Sequence, residues 1–340
     1  MTDSCMGRFQ DALRGTPNDR VPIIPMIGGW AAANFSDVPL SKLAQDPKRI
    51  ADAQVRAMET VGHDAFFAYA DPLYIPEAFG CRVRFTETGP LVDALPHSIN
   101  SIEDLEKIPI PDARRARRLP VILELVKELH AYGGGDIPVL GALEGAFTST
   151  TRILEADQVM RMIYKNPLLL EALLDRVNGF LLEFGRALIE SGATVLFIPE
   201  PSASASMISP AMFRRFVLPR LRSLINELKV PCMLHICGDT APTLQVMQET
   251  GFQVLSLDQC MDLSKSRDLV PEAVLGGNVD PINSLLLGTR EQVVEDTLHC
   301  LRTGGKNHFI LMSGCGVPPG TSIENLSAMV ETAIDYGLGA

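Results

Sequence analysis

The stretch Pro231-Cys232-Met233-Leu234-His235-Ile236-Cys237 is a short apolar run that ends in an imidazole and a thiol. A run of this length is typical of a buried β-strand. Because side chains alternate between the two faces of a strand, His235 and Cys237 are predicted to point to the same side. The strand therefore ends in two potential metal ligands that share one face.

The same kind of apolar run recurs along the chain and alternates with segments of helical periodicity. Candidate strands lie at residues 21–26, 65–69, 137–140, 194–198, 232–236, 254–257, 273–275 and 308–312. Helical spacing is found at residues 47–61, 167–191, 210–228, 292–301 and 323–336. Eight strands alternating with helices in 340 residues predict an α/β fold, the (β/α)8 TIM barrel. An open doubly wound sheet is the alternative, but no glycine-rich dinucleotide turn follows the first strand.

The domain organisation is predicted to be simple. We expect a single barrel domain over residues 1–340, since barrels often reach this length undivided. Residues 81–118 depart from the strand–helix rhythm, are rich in proline and end in the basic cluster Arg114-Arg115-Ala116-Arg117-Arg118. This segment is interpreted as an excursion over the surface. The basic cluster is expected to be a solvated helix start, with a site for an acidic partner as the alternative.

Composition and charge exclude several classes of protein. The net charge of −11 argues against a nucleic-acid partner, whose phosphates need a basic face. Seven cysteines without regular spacing do not form a disulfide framework. No signal peptide is recognised at the start, and the most apolar helical segment, 168–189, is interrupted by charged residues. The sequence therefore predicts a cytoplasmic protein in a reducing setting, with no membrane association.

A third soft ligand, Cys315, lies directly after the apolar run at 309–312. In a barrel the carboxyl ends of the strands meet at one mouth, where active sites are built. Cys315, His235 and Cys237 are therefore predicted to converge there. One imidazole and two thiolates form a three-ligand zinc set that leaves the fourth tetrahedral position open for a substrate. The alternative is a buried histidine with two buried free cysteines.

The chain resembles the uroporphyrinogen decarboxylase superfamily and, within it, the zinc-dependent methylcobalamin:coenzyme M methyltransferases. The resemblance covers essentially the whole length, and its clearest motifs are His235-Ile236-Cys237-Gly238, Gly277-Asn278-Val279 and Gly314-Cys315-Gly316-Val317-Pro318. Further similarity is found at residues 18–22, 141–148, 199–204 and 207–210. The resemblance implies a uroporphyrinogen decarboxylase-like barrel with zinc at His235, Cys237 and Cys315. It also implies a funnel at the barrel mouth, where a partner corrinoid protein presents its methyl group.

Two carboxylates are predicted to belong to the catalytic site. Glu200 stands before Pro201, where these methyltransferases carry an aspartate, and could be a fourth zinc ligand, a partner for His235 or a wall charge. Asp71 lies in Ala68-Tyr69-Ala70-Asp71-Pro72-Leu73, which is similar to the stretch that holds the catalytic aspartate of the decarboxylase branch. Asp71 is therefore predicted to bind a substrate other than coenzyme M.

Three further residues are predicted to contact a cofactor. Trp30, the only tryptophan, follows the first strand and could stack on a corrin or substrate, or cap the barrel. Gly277 and Asn278 follow the seventh strand and could bind a phosphate or let a ligand approach the backbone. A tight turn explains the same two residues equally well.

The predicted function is zinc-dependent transfer of a methyl group between a corrinoid (cobalamin) and a zinc-bound thiol such as coenzyme M. Corrinoid-dependent demethylation of an ether, amine or thioether is an alternative, although soft ligands favour a thiol. A metal-free decarboxylase-like lyase is a second alternative, but residues 25–30 contain no arginine that could bind a polycarboxylate substrate. A closed, non-catalytic zinc site is a third, and it would need Cys260 as its fourth ligand. Cys260 is expected instead to be a buried free thiol, and Cys232 to face away from His235.

Overall fold

The computed structural model of the chain describes residues 4–69, 71–86, 89–93 and 99–338. The strands of these residues are β1 Phe66–Ala68, β2 Arg82–Thr86, β3 Gly89–Asp93, β4 Val139–Ala142, β5 Val195–Pro199, β6 Cys232–Ile236, β7 Val254–Leu257, β8 Val274–Val279 and β9 Phe309–Ser313. The α-helices are α1 Cys5–Arg14, α2 Gly28–Phe35, α3 Leu40–Leu43, α4 Pro47–Val61, α5 Tyr74–Ala78, α6 Ile102–Glu106, α7 Leu119–Gly133, α8 Ala146–Ile153, α9 Ala156–Lys165, α10 Pro167–Glu190, α11 Pro210–Met212, α12 Leu218–Glu227, α13 Leu244–Gln248, α14 Leu263–Leu269, α15 Arg290–Gly304 and α16 Ile323–Leu338. A 3₁₀ turn lies at Pro201–Ala203, and π-helical segments lie at Phe213–Val217 and Pro281–Leu286. Among the helices of the described ranges, none combines the length and the apolar character that a membrane span requires.

The main sheet is parallel, with the strand order β1-β4-β5-β6-β7-β8-β9. The predicted first strand, 21–26, contributes only an isolated bridge between Ile23 and Leu311 of β9. On its other side, the carbonyl of Ile23 accepts a hydrogen bond from the amide of Asp64, at 2.8 Å, just before β1. This segment therefore closes the sheet into a barrel. The (β/α)8 prediction is confirmed, with the correction that Pro22 and Pro25 lack the amide hydrogens that a longer ladder would need.

The strands separate two apolar layers. Alternate residues such as Phe67, Phe197 and Met233 face the barrel interior and form one buried cluster. The residues between them face the surrounding helices and belong to a larger cluster. Phe9 and Ala12 of α1 join the interior cluster. This alternation follows from the period of two along a strand, and it determines which side chains can reach the barrel mouth.

The excursion predicted at 81–118 contains the antiparallel hairpin β2–β3, which the sequence pattern did not predict. Arg114, Arg115 and Arg117 are exposed, as expected for a solvated helix start. Arg118 is a correction to that expectation, because it is 7% exposed and pairs with Asp71 and Glu77. The buried carboxylate of Asp71 requires a counter-charge, which Arg118 supplies from the position just before α7. Pro96 of the predicted excursion lies outside the described residues.

Candidate metal centre and active site

Three soft ligands meet at the carboxyl ends of the parallel strands. His235 lies one residue before the end of β6, and Cys315 lies two residues beyond the end of β9. Together with Cys237 they form a group whose ligand atoms all lie within 4.8 Å of one another. We call these three residues the His/Cys cluster. The predicted convergence of the strand ends is therefore found in the structure.

The imidazole of His235 is oriented by a neighbouring strand. His235 of β6 is the register partner of Ser256 on β7, and its Nδ1 lies 3.1 Å from the Ser256 hydroxyl. Its Nε2 lies 3.2 Å from Cys237 Sγ. The ring also stacks on Phe197, with 5.9 Å between the ring centroids. When Nδ1 donates its hydrogen to the Ser256 hydroxyl, Nε2 keeps a lone pair on the side of Cys237, as a metal ligand requires.

The two cysteines are held by tight backbone packing after their strands. Gly238, next to Cys237, donates its amide hydrogen to Asp258 at 2.8 Å. Gly314, next to Cys315, donates its amide hydrogen to the carbonyl of Val279 at 2.8 Å. A Cβ atom at Gly314 would lie 2.4 Å from the backbone nitrogen of Gln259, so glycine is the residue that this close approach permits.

The donor set fits a zinc ion. Cys237 Sγ and Cys315 Sγ are 3.6 Å apart, which is far longer than a disulfide bond. Ligand atoms around a tetrahedral zinc with bonds of about 2.0–2.3 Å are spaced by about 3.5–3.8 Å, close to the separations in the cluster. The hydrogen bond from Cys237 lowers the pKa of the Cys315 thiol. The hydrogen bond to Cys315, together with burial, raises the pKa of Cys237. A divalent cation would favour the thiolate form of both.

The His/Cys cluster lines a cavity of about 430 Å³ at the barrel mouth. We call this space the site cavity. Most of its wall is apolar and includes Met26, Phe67, Phe197 and Val317 together with several prolines. Three tetrahedral positions of a bound zinc would be filled by the cluster, and the fourth would be open to this space. The arrangement can therefore bind a soft ligand atom in mostly apolar surroundings.

A polar group on the wall of the site cavity was not predicted from the sequence. Glu144, in the loop between β4 and α8, is 3% exposed, and its Oε1 lies 2.9 Å from Arg152 Nη2 on α8. Its Oε2 is buried without a hydrogen-bond partner. Burial raises the pKa of Glu144 to about 8, although Arg152 opposes this shift. The available signal was a single carboxylate just after a strand, in the otherwise small and apolar stretch 141–147.

The backbone of Glu200 is hydrogen-bonded to the backbone of His235, but the Glu200 carboxylate points to α8 and not to the His/Cys cluster. The Glu200 amide donates to the carbonyl of His235 at 2.8 Å. Its Oε1 accepts from the amide of Thr148 at 2.5 Å, in the first turn of α8, and its Oε2 has no partner. Burial raises the pKa of Glu200 to about 7. Among the three roles that the sequence left open, this geometry gives the carboxylate a contact with a helix N-terminus rather than with the cluster.

Asp71 does not face the site cavity. It is 2% exposed, its carboxylate forms the ion pair with Arg118, and its Oδ1 accepts from the amide of Leu73 at 2.9 Å. The guanidinium of Arg118 also lies 5.3 Å from the ring centroid of Phe85 in the hairpin β2–β3. The predicted substrate carboxylate is thus engaged in joining the excursion to the barrel.

The three predicted cofactor contacts are also placed outside the site cavity. Trp30 is fully buried, and its Nε1 donates to the carbonyl of Thr321 at 2.8 Å, so that it packs in the barrel wall. Gly277 has φ +152°, a conformation that favours glycine. The Asn278 side-chain amide donates to the carbonyls of Asp258 and Met261 at 2.9 and 2.7 Å and fixes the loop after β7.

The remaining cysteines near β6 and β7 do not complete the His/Cys cluster. Cys232 is fully buried on the outer face of β6, as predicted. Cys260 is exposed, which corrects the expectation of a buried thiol, because the loop after β7 turns it toward solvent. Among the described residues, the cluster has three protein ligands and no fourth.

Comparison with known proteins agrees with the fold and the motifs. The profile of the uroporphyrinogen decarboxylase (URO-D) family matches residues 6–336. The chain is 31% identical to methylcobamide:CoM methyltransferase MtbA of Methanosarcina acetivorans over 97% of both chains. It is 28% identical to uroporphyrinogen decarboxylase of Geotalea daltonii over 95% of this chain and 97% of that protein.

A solved methyltransferase from Methanosarcina mazei superposes with a TM-score of 0.91 at 27% identity, covering 98% of this chain and 99% of that one. The match of the family profile to nearly the whole chain shows the family. The predicted resemblance to its corrinoid-dependent methyltransferases is confirmed by the relatives found. The chain belongs to the uroporphyrinogen decarboxylase family.

Proposed function

We propose that the protein is a zinc-dependent methyltransferase that moves a methyl group between a corrinoid and a small thiol. The corrinoid is carried by a partner protein that docks at the barrel mouth. The observation that carries the proposal is the His/Cys cluster, three convergent soft ligands with one open side toward an apolar cavity. Coenzyme M, the acceptor in the names of the similar methyltransferases, is one member of the thiol class.

The proposed chemistry is a displacement at the methyl carbon. The thiolate sulfur of the acceptor attacks the methyl group of the methylcorrinoid, so that a carbon–sulfur bond forms. The cobalt–carbon bond breaks, and its electron pair remains on the reduced cobalt. The acceptor releases its thiol proton to the solvent before the attack, because the thiolate is the nucleophile. Bound zinc would supply this deprotonation at neutral pH by coordinating the sulfur.

The residues of the chain have separate tasks in this proposal. His235, Cys237 and Cys315 hold the metal, and the hydroxyl of Ser256 fixes the imidazole. The apolar wall, including Phe197, excludes water from the nucleophile and from the reduced corrinoid. The five residues predicted from the sequence outside the cluster support the mouth of the barrel instead of touching the acceptor: Glu200, Asp71, Trp30, Gly277 and Asn278.

Metal analysis of the purified protein tests the proposal. We expect about one zinc per chain in the wild type and its loss in Cys237→Ala and in Cys315→Ala. Cys260→Ala removes an exposed thiol outside the cluster and should retain the metal. Methyl transfer from methylcobalamin to a thiol, followed by the absorbance change of the corrinoid, should be lost in the same two variants. A wild type that binds no zinc even when zinc is supplied would disprove the mechanism.

A further inference from the structure

The wall of the site cavity carries one ion pair in a mostly apolar lining. Apart from the His/Cys cluster, Glu144 and Arg152 are the charged residues among the described residues that line this space. Their contact is a single one, between Oε1 and Nη2 at 2.9 Å. An apolar active-site cavity does not need a buried charge pair for stability, since such pairs are weak contributors to folding. Its position therefore points to ligand recognition.

Both members of the pair retain unused hydrogen-bonding capacity. Oε2 of Glu144 is buried without a partner, and the ion pair with Glu144 is the polar contact of the Arg152 side chain in the described part of the chain. A guanidinium has five donor hydrogens in a planar fork that fits an acid group. The pair can therefore accept a hydrogen bond from a cation and donate hydrogen bonds to an anion at neighbouring positions.

Electrostatic complementarity decides which charge class fits. A ligand with a single negative charge would meet Arg152, but also the carboxylate of Glu144 beside it. A ligand with a single positive charge would be attracted by Glu144 but repelled by Arg152 beside it. A ligand that bears an ammonium and an acid group on the same carbon satisfies both residues at once. An ammonium beside Glu144 would also favour its carboxylate form, which burial alone disfavours.

We propose that the acceptor is a small thiol whose other end is zwitterionic, as in an α-amino acid, with its ammonium bound by Glu144 and its carboxylate by Arg152. This inference rests on the proposed function and specifies its substrate class. The site cavity, about 430 Å³, has room for a thiol of this size. The cluster and the ion pair line the same space, so that one ligand can contact both.

A panel of four thiols tests the proposal on the zinc-loaded wild type with methylcobalamin as donor. The panel contains L-homocysteine (zwitterionic), 2-mercaptoethanesulfonate (anionic), cysteamine (cationic) and 2-mercaptoethanol (neutral). We expect kcat/KM for homocysteine to exceed that of each other thiol by about tenfold or more, because one charge-assisted contact is worth about that factor. An equal or higher value for 2-mercaptoethanesulfonate would overturn the proposal and leave the methyltransferase function intact.

Two variants should change the preference in opposite directions. Glu144→Gln leaves Arg152 uncompensated and should shift the ratio of kcat/KM values toward 2-mercaptoethanesulfonate. Arg152→Gln leaves the carboxylate and should shift that ratio toward cysteamine. Arg161→Gln removes an arginine that pairs with Asp157 on the exposed face of α9, and should leave every ratio as in the wild type. Identical ratios in all three variants would contradict the proposal.

Binding of thioethers separates failure of the inference from failure of the proposed function. Calorimetry on the zinc-loaded and the metal-free protein would compare methionine with 2-(methylthio)ethanesulfonate and 2-(methylthio)ethanol, which need no methyl transfer. We expect methionine to bind about tenfold more tightly than either, with loss of this preference in Glu144→Gln. If no thiol is methylated but methionine is preferred, the reaction is wrong and the recognition is right. Equal binding of the three thioethers would disprove the recognition.

Discussion

The chemistry of this site depends on residues that orient the ligands as much as on the ligands. The ring of His235 is held by the Ser256 hydroxyl and by the face of Phe197, with Nε2 beside Cys237. Ser256 is fully buried on the strand next to His235, so no water is expected to replace its hydroxyl. The hydroxyl is therefore predicted to act on the metal site indirectly, by orienting the His235 ring.

Removing the Ser256 hydroxyl should weaken zinc binding without unfolding the barrel. We expect Ser256→Ala to lower the zinc affinity about 10- to 100-fold, the usual effect of losing a hydrogen-bond partner of a ligating histidine. Competition with a chromophoric chelator would measure the affinity. Ser266→Ala is the matched control and should leave the zinc affinity unchanged, because it removes a buried hydroxyl of α14 that donates to the carbonyl of Asp262, the residue before that helix. Equal affinities in both variants and the wild type would show that the hydroxyl has no such role.

At the scale of the elements, the parts of the fold set by local pattern could be predicted from the sequence. Strand alternation placed His235 and Cys237 on the inner face and Cys232 on the outer one. Barrel topology then brought Cys315 to the same mouth. The Glu144–Arg152 pair could not be predicted in this way, because nothing local indicates which charged side chains face each other. The inward turn of Arg118 depends in the same way on a distant partner, Asp71.

The backbone after β9 is predicted to determine the position of Cys315. Gly314 and Gly316 flank Cys315, but a Cβ at Gly314 would lie 2.4 Å from the Gln259 backbone, whereas one at Gly316 would meet no atom within 4 Å. We expect Gly314→Ala to displace Cys315 and lower zinc content and melting temperature, since the clash is with the backbone and not with a flexible side chain. Gly316→Ala should keep both near wild type. Thermal unfolding with metal analysis would measure the two effects, and similar values for both variants would contradict this account.

At the scale of the whole molecule, the barrel is closed where its sheet is weakest. The segment at 21–26 has one bridge to β9, and its other edge is held by Asp64, whose Oδ2 accepts from the Ile23 amide at 2.8 Å. Asp64 is 1% exposed and also pairs with Arg8, at 3.2 Å, and with Arg20, at 2.5 Å. One carboxylate therefore joins α1, the closing segment and the residues before β1. Closure of the barrel therefore depends on a charge in addition to a few backbone hydrogen bonds, whereas the other seams of the sheet have longer ladders.

Loss of that charge should destabilise the whole barrel. Asp64→Asn leaves the largely buried guanidinium of Arg20 without its counter-ion and Arg8 with Asp19 alone, and we expect it to reduce the free energy of unfolding by about 3–5 kcal/mol. Asp52→Asn breaks the exposed pair with Arg56, 3.9 Å apart on α4, and should cost less than about 1 kcal/mol. Urea unfolding followed by circular dichroism would measure both losses of stability. An unchanged m-value would show that each variant exposes the same surface area on unfolding as the wild type. If the two variants lost stability equally, Asp64 would not be what closes the barrel. A large loss of unfolding free energy confined to Asp64→Asn would show that closure of this barrel depends strongly on one buried carboxylate.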